Sequence, residues 1–126
     1  MVILIGRVLH FDINAQNPER AKKFYETVFN WQFTKWEGPI EYWLITTGPD
    51  NEPGINGGMS KTNNPGITTS ITIDTKDIDD VINKIKTQGG TITQPKNAIP
   101  GEGWLISFTD TEGNTLNVMQ DDPNAQ

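Results

Sequence analysis

The chain of 126 residues has no cysteine and only one histidine, His10. Without cysteine, disulfides, thiolate metal sites and cysteine nucleophiles are excluded. The single histidine leaves one imidazole for acid–base chemistry near neutral pH or for metal coordination. The single histidine limits the chemistry of this chain more than any other feature of its composition.

Basic charge and long apolar runs are also scarce. Ten Lys and Arg stand against sixteen Asp and Glu, for a net charge of −6, and no basic run offers a site for a nucleic-acid backbone. No apolar run approaches the roughly 20 residues of a membrane span, and the stretch 1–5 is too short for the apolar part of a signal peptide. We therefore expect a cytoplasmic protein of a single domain, residues 1–126, with neither nucleic acid nor membrane as a partner.

The first half of the chain predicts a strand, a helix and three further strands. Residues 3–13 alternate between apolar and polar side chains, as in a half-buried strand. Asn17-Pro18-Glu19 has the composition of a helix start, and Asn30 suits a left-handed helix end. Three strand-like segments follow, at 31–36, 42–47 and 55–59.

The second half repeats this order. Residues 67–74 alternate, a helical stripe of isoleucine and valine runs from Ile78 to Ile85, and Gly89-Gly90 ends it. Three strands are then predicted at 91–93, 104–109 and 115–119. This repeat predicts an α+β fold of two tandem βαβββ modules. The predicted parts are module one (1–60), a linker (60–66), module two (67–120) and a tail expected to fray (121–126).

Several ordered motifs point to one family. They run from His10-Phe11-Asp12-Ile13 through Asn17-Pro18-Glu19 and Phe29-Asn30-Trp31 to Asp110-Thr111-Glu112-Gly113-Asn114 near the end. Together they resemble the vicinal oxygen chelate superfamily, which includes glyoxalase I, bleomycin-resistance proteins and extradiol dioxygenases. The resemblance covers nearly the whole chain. It implies that the two modules form a curved mixed sheet around a cleft, and that the protein is a homodimer, paired side by side or by exchange of modules.

The polar strand face is the predicted binding surface. If the apolar strand residues pack against the helices, their neighbours face the other way. Alternation alone leaves this face equally suited to bulk solvent, and the resemblance favours a small-molecule cleft. The candidate ligand-binding residues on it are His10, Asp12, Asn56, Thr68, Ser70, Thr115 and Asn117. Trp43 and Trp104 are added as aromatic side chains that stack on a flat ligand, with core or dimer contacts as their alternative.

The resemblance also allows a test for a metal site. Metal-using members take four ligands from the first and fourth strands of the modules, which here fall on His10, Gly57 (Asn56 if the register slips), Thr68 and Asn117. Only His10 is a strong ligand, because Gly57 has no side chain and the other two offer neutral oxygens. We expect no tightly bound metal and no other cofactor, with a weakly held divalent ion as the alternative.

Two features have more than one interpretation. His10 is either a general base or hydrogen-bonding anchor, and so a candidate catalytic residue, or a structural residue bonded to Thr68 or Asn117. The glycine-rich stretch 54–58 does not open a helix, so it is no phosphate loop. It marks a strand where backbones approach closely or where a dimer partner packs.

Three functions follow from these observations. The first is a protein of the glyoxalase and bleomycin-resistance type that binds a small organic molecule in the cleft between the modules, without a tightly bound metal. The second is a metal-dependent lyase of the glyoxalase I type. The third is a structural or regulatory dimer that is not catalytic. Whether the chain is an enzyme, and on what substrate, stays open from the sequence.

Overall fold

The computed structural model describes residues 6–64, 66 and 69–126. The described chain contains eight strands and two helices, which confirms the predicted α+β class and the two βαβββ modules. In chain order the elements are β1 (Val8–Ala15), α1 (Pro18–Phe29), β2 (Gln32–Lys35), β3 (Tyr42–Thr46), β4 (Gly57–Lys61), β5 (Thr69–Asp74), α2 (Ile78–Thr87), β6 (Thr91–Ile99), β7 (Gly103–Thr109) and β8 (Thr115–Asp121).

The N-terminal unit, His10–Ser70, contains one mixed set of strands. Its strand order is β2-β3-β4-β1. β1 pairs parallel with β4, and the other two pairs are antiparallel. The parallel pair is separated in sequence by α1, β2 and β3, so α1 begins the connection that returns the chain to run beside β1.

The C-terminal unit, residues 6–9 and 71–126, repeats that topology. Its strand order is β5-β8-β7-β6, with β5 parallel to β8 and the other pairs antiparallel. The backbone oxygen of Arg7 accepts a hydrogen bond of 2.8 Å from the Asp74 amide. The first residues of β1, Val8 and Leu9, are grouped with this unit, and the module bounds of 1–60 and 67–120 stay a prediction.

The ends of both helices follow from short sequence signals. The Asn17 side chain accepts a hydrogen bond from the Arg20 amide, and Pro18 occupies the first helical position, where its missing N–H costs nothing. Asn30 ends α1 with a φ of 62°, which confirms the predicted left-handed cap. Asp77 caps α2 by accepting from the Asp80 amide.

Each unit has its own apolar core. In the N-terminal unit, Ile13, Trp43, Ile45 and Met59 are buried, and Tyr25 of α1 packs against them. The core of the C-terminal unit consists of buried Ile78, Ile106 and Val118 with the partly buried residues around them. Not every apolar residue of α1 joins this core, because Phe24 and Val28 stay more than 50% exposed.

The structure differs from the prediction at the chain end. Residues 121–126 were expected to fray, yet Ala125 is fully buried and its oxygen accepts from the Gly101 amide. The Asp122 amide in turn donates to the Glu102 oxygen, so two backbone hydrogen bonds hold the tail against the β6–β7 turn. Neither α1 nor α2, the two helices of the described chain, has the length and apolar character needed to cross a membrane.

Candidate functional site

Two strands of the N-terminal unit, β1 and β3, place polar side chains on the face opposite the core, with β4 between them. On β1, Phe11 and Ile13 point to the core, so His10 and Asp12 point the other way. In the register, Asp12 lies beside Gly58 of β4, and Gly58 lies beside Leu44 of β3. Tyr42 is two residues before Leu44 and therefore shares this face.

His10, Asp12 and Tyr42 form a compact hydrogen-bonded group. The Tyr42 hydroxyl donates to Asp12 Oδ1 at 2.7 Å and lies 2.9 Å from His10 Nε2. The same Nε2 is 3.4 Å from Asp12 Oδ1. The His10 and Asp12 side chains are 33% and 22% exposed, so a solute can reach a group that is nevertheless partly shielded from water. We call these three side chains the polar triad.

Gly58 is the residue that allows Tyr42 into this position. A Cβ built on Gly58 would overlap the Tyr42 hydroxyl and ring. Tyr42 therefore lies across the backbone of β4, in the space that a side chain at position 58 would fill. Gly57 is constrained differently, since a Cβ there would meet the backbone oxygen and the ring of Phe11. This close approach of β1 and β4 agrees with one of the two predicted interpretations of the glycine-rich stretch.

The environment of Tyr42 keeps its hydroxyl protonated. Burial, together with the charge and hydrogen bond of the Asp12 carboxylate, raises the pKa of Tyr42 well above its usual range. The hydroxyl is therefore a permanent donor at physiological pH. Because an ionised carboxylate only accepts hydrogen bonds, the direction of the Tyr42–Asp12 bond is defined.

Apolar groups border the polar triad. The Trp36 ring packs edge-on against the Tyr42 ring, with centroids 6.2 Å apart. Gly38 leaves room for this, since a Cβ on it would overlap the Trp36 ring. Leu44, on the same face, is 44% exposed. A mixed surface of this kind suits a small organic molecule that has both polar and apolar parts.

The structure places two other predicted residues of this unit away from the triad. Trp43 is 7% exposed and belongs to the core, as alternation with Tyr42 and Leu44 requires, so it offers no stacking surface on the polar face. Asn56 is exposed in the turn before β4, where its side-chain oxygen accepts from the Thr47 amide at 2.9 Å. That bond stabilises the turn.

Of the remaining candidates, Thr115 and Asn117 belong to the C-terminal unit, whereas Ser70 is the last residue of the N-terminal unit. Asn117 lies beside Thr72 in the register and accepts a 2.7 Å hydrogen bond from Ser107. Ser70 is half-buried on β5, and Thr115 is exposed at the start of β8. The fourth candidate, Thr68, lies outside the described residues.

Trp104 also belongs to the C-terminal unit, where it packs at the edge of the core. It contacts the cluster around Ile78, Ile106 and Val118, and its indole N–H donates to Asp122 at 3.0 Å. The Lys96 ammonium group lies 4.8 Å from the ring centroid. The indole is thus held by the chain itself, which corresponds to the core alternative given for Trp104 and not to a free stacking position.

The four positions implied for a metal site do not supply a ligand set in the described part of the chain. His10 is committed to Tyr42 and Asp12, Gly57 has no donor, and the Asn117 oxygen is used by Ser107. Across residues 6–64, 66 and 69–126, no three His, Asp or Glu side chains are grouped as metal ligands. The residues present do not fit the four-ligand centre of the metal-using relatives.

Sequence reasoning missed Tyr42. It predicted that a structural His10 would bond to Thr68 or Asn117, whereas its partner is Tyr42, 32 residues away. One signal was present in the sequence. Glycines at 57 and 58 in a predicted strand leave space on both faces, and Tyr42 begins another predicted strand nearby in the chain.

An open cavity of about 480 Å³ lies elsewhere in the N-terminal unit, between the end of β1 and the start of α1. Its wall includes Asn14, Arg20, Phe24 and Tyr25, and none of the predicted site residues that the structure describes. Among the described residues that line it, Arg20 is the charged one. The polar triad brings more chemistry together and is the better candidate site.

Comparisons with known proteins agree with this architecture. One similar solved structure is methylmalonyl-CoA epimerase from Mycobacterium tuberculosis, with a TM-score of 0.73, 11% identity, and coverage of 98% of this chain and 94% of that one. A methylmalonyl-CoA epimerase in complex with methylmalonyl-CoA and NH4+ has a TM-score of 0.70 at 12% identity, covering 98% and 99%. A hypothetical protein from Bacillus halodurans C-125 has a TM-score of 0.70 at 14% identity, covering 96% and 98%.

At these identities the likeness concerns the fold alone. A search of curated proteins gave no match. The family model for the glyoxalase/bleomycin resistance protein/dioxygenase superfamily matches residues 7–118, nearly the whole chain. This match agrees with the motifs from His10 to Asn114 and with the two βαβββ modules. The chain belongs to the glyoxalase/bleomycin resistance protein/dioxygenase superfamily.

Proposed function

We propose that this protein binds a small organic molecule on the polar face of its N-terminal unit, and that binding requires no metal ion. The polar triad carries the proposal. A histidine, a carboxylate and a tyrosine hydroxyl lie within 3.4 Å of one another on a sheet face that is still partly open. The apolar core lies on the opposite face of these strands, so the three polar side chains take no part in core packing.

The composition of the face supports an organic ligand. Trp36 and the exposed Leu44 provide apolar contact beside the triad. Structures of the same fold include one solved with methylmalonyl-CoA bound, which concerns that protein and is consistent with a ligand-binding role for this architecture. The ligand is not carried over from it.

The lack of a fitting ligand set supports independence from metal. Two of the three described positions that correspond to ligands in metal-using relatives have neutral side chains or none, Gly57 and Asn117. The third, His10, already bonds to Tyr42. We therefore propose a metal-independent site in preference to a glyoxalase I type lyase. A homodimer in the cytoplasm remains part of the proposal, on the strength of the family alone.

The test is a titration followed by amide NMR. Untagged protein is treated with chelator and titrated with small neutral and charged aromatic probes, namely phenol, benzamide, benzylamine and benzoate. We expect at least one probe to shift the amides around residues 10–12 and 42–44. His10→Ala should weaken that probe's binding by about tenfold, the effect of one lost hydrogen bond.

The matched control is Tyr25→Phe, which removes the chain's other tyrosine hydroxyl from a residue packed against the core of the same unit. It should bind the probe as the unmodified protein does. Shifts confined to other surfaces, or binding that His10→Ala leaves unchanged, would show that the triad is not the site.

A further inference from the structure

The polar triad has few protons to share in hydrogen bonds, and this limits which of its atoms can donate and which must accept. The Tyr42 hydroxyl has one proton, and Asp12 as a carboxylate has none. The shorter contact of Tyr42, at 2.7 Å, is with Asp12, which therefore takes the hydroxyl proton. The Tyr42 oxygen then has only lone pairs left, so it can accept a hydrogen bond from its other neighbour but cannot donate one.

That other neighbour is His10 Nε2. It lies 2.9 Å from the Tyr42 oxygen and 3.4 Å from Asp12 Oδ1. The Tyr42 oxygen and Asp12 Oδ1 both face Nε2 as hydrogen-bond acceptors. An unprotonated Nε2 would place its lone pair against two oxygens, which is repulsive, whereas an Nε2–H donates to them. The arrangement therefore requires the proton on Nε2.

A neutral imidazole has a proton on only one of its two nitrogens. If Nε2 holds it, Nδ1 has a free lone pair. Both contacts of the His10 ring with described residues, to Tyr42 and to Asp12, are made by Nε2 and none by Nδ1. The His10 side chain as a whole is 33% exposed, so a bound molecule can approach the ring.

We infer that Tyr42, held in place by the missing side chain of Gly58, locks His10 in the Nε2–H form, so that Nδ1 is a hydrogen-bond acceptor for a ligand with an O–H or N–H donor. Tyr42 is then a positioning residue, and Gly58 provides its space. The part of this inference that concerns a ligand rests on the proposed function. The state of His10 itself can be tested with no ligand present.

The local charge narrows the ligand class further. Asp12 gives the triad a negative charge when His10 is neutral, and Tyr42 adds none because its hydroxyl stays protonated. An acceptor nitrogen beside a carboxylate repels anions and favours neutral donors. With Trp36 and Leu44 at the border, a neutral phenol, alcohol or amide with an apolar part is the ligand chemistry that fits.

The single histidine makes the ligand-free test direct. In protein labelled with ¹⁵N, the side-chain nitrogens of His10 are the only imidazole signals, so long-range ¹H–¹⁵N spectra need no further assignment. We expect Nε2 to resonate as a protonated nitrogen with a directly observed proton, and Nδ1 as an unprotonated one. Tyr42→Phe should speed exchange of the Nε2 proton with water by about tenfold, since it removes the hydrogen-bond acceptor.

Two further variants separate positioning from a general loss of structure. Gly58→Ala, which displaces the Tyr42 ring, should speed the same exchange as Tyr42→Phe does. Tyr25→Phe should leave it unchanged. A proton found on Nδ1 in the unmodified protein would overturn the inference. So would an Nε2 proton exchange rate that neither Tyr42→Phe nor Gly58→Ala changes, provided that the amide spectra of both variants remain dispersed.

A matched pair of probes tests the ligand class. Phenol and anisole have the same ring, and only phenol can donate a hydrogen bond. We expect phenol to shift the Nδ1 signal and anisole to leave it in place. Equal shifts from both would refute the donor requirement while leaving the site intact. If no probe reaches the polar face but Nε2 still behaves as expected, the proposed function fails and the locked state of His10 stands.

Discussion

Gly58→Ala is the substitution whose effect the structure specifies most fully. The new Cβ would overlap the Tyr42 hydroxyl and ring, so the tyrosine must move off β4. Gly58 has no positive φ, so the backbone itself accepts alanine. Overpacking of this kind typically costs about 1–3 kcal/mol. The hydrogen bond from Tyr42 to the Asp12 carboxylate is lost as well, and since Asp12 is 22% exposed we expect a total of about 2 kcal/mol.

The assay is chemical denaturation of four proteins in a double-mutant cycle. In the Tyr42→Ala background the ring is absent, so Gly58→Ala should cost nothing or stabilise the strand slightly, by up to about 1 kcal/mol. The predicted coupling between the two positions is therefore about 2 kcal/mol. Gly48→Ala is the matched control. Its Cβ would lie 3.7 Å from the nearest atom, of Glu52, and its effect should stay within about 0.5 kcal/mol. An equal cost of Gly58→Ala in both backgrounds would refute the contact between Tyr42 and Gly58.

Three other predictions follow from single features. Asn17→Ala removes the cap of α1 and should lower the free energy of unfolding by about 1 kcal/mol in a denaturant titration; no change would mean that the cap is not formed. Ala125→Asp buries a charge in the docked tail, so thermal unfolding should occur at lower temperature, whereas a frayed tail would be indifferent. Hydrogen bonds from Asn114 lower the pKa of the Asp110 carboxyl group. The ionised carboxylate therefore stabilises the fold above the ordinary aspartate pKa, and this stabilisation is lost as the pH falls through the lowered pKa of the folded protein. Acid unfolding of Asp110→Asn should accordingly depend less on pH below about 4, the ordinary aspartate pKa, and an unchanged profile would contradict this.

Local signals in the sequence predicted much of the fold. Asn17-Pro18 and Asn30 define α1 within a residue, because capping depends on the side chain and backbone preference of the cap itself. The bounds of strands β4 and β6 were less well predicted. β6 extends to Ile99 through Gln94-Pro95-Lys96, where two register shifts accommodate residues that look unlike a strand.

The candidate site was predicted only in part, because its geometry depends on contacts between distant residues. Alternation correctly placed His10 and Asp12 on the face opposite the core. Tyr42 was not chosen, since nothing local shows that its side chain crosses β4 at Gly58. Similarly, the contacts of Trp104 depend on Asp122, which becomes a partner only because the chain end is docked. Pairings over such separations arise from packing, which sequence periodicity does not encode.

The most direct test of the proposed site compares phenol binding with and without metal. Untagged protein is stripped with chelator, and the His10 side-chain nitrogens are followed by NMR during the titration, before and after addition of Zn²⁺ or Ni²⁺. We expect phenol to shift the Nδ1 signal in the metal-free protein, and we expect the added ion not to strengthen binding. A shift that occurs only after the metal is added would contradict this expectation, and would show that His10 belongs to a metal centre.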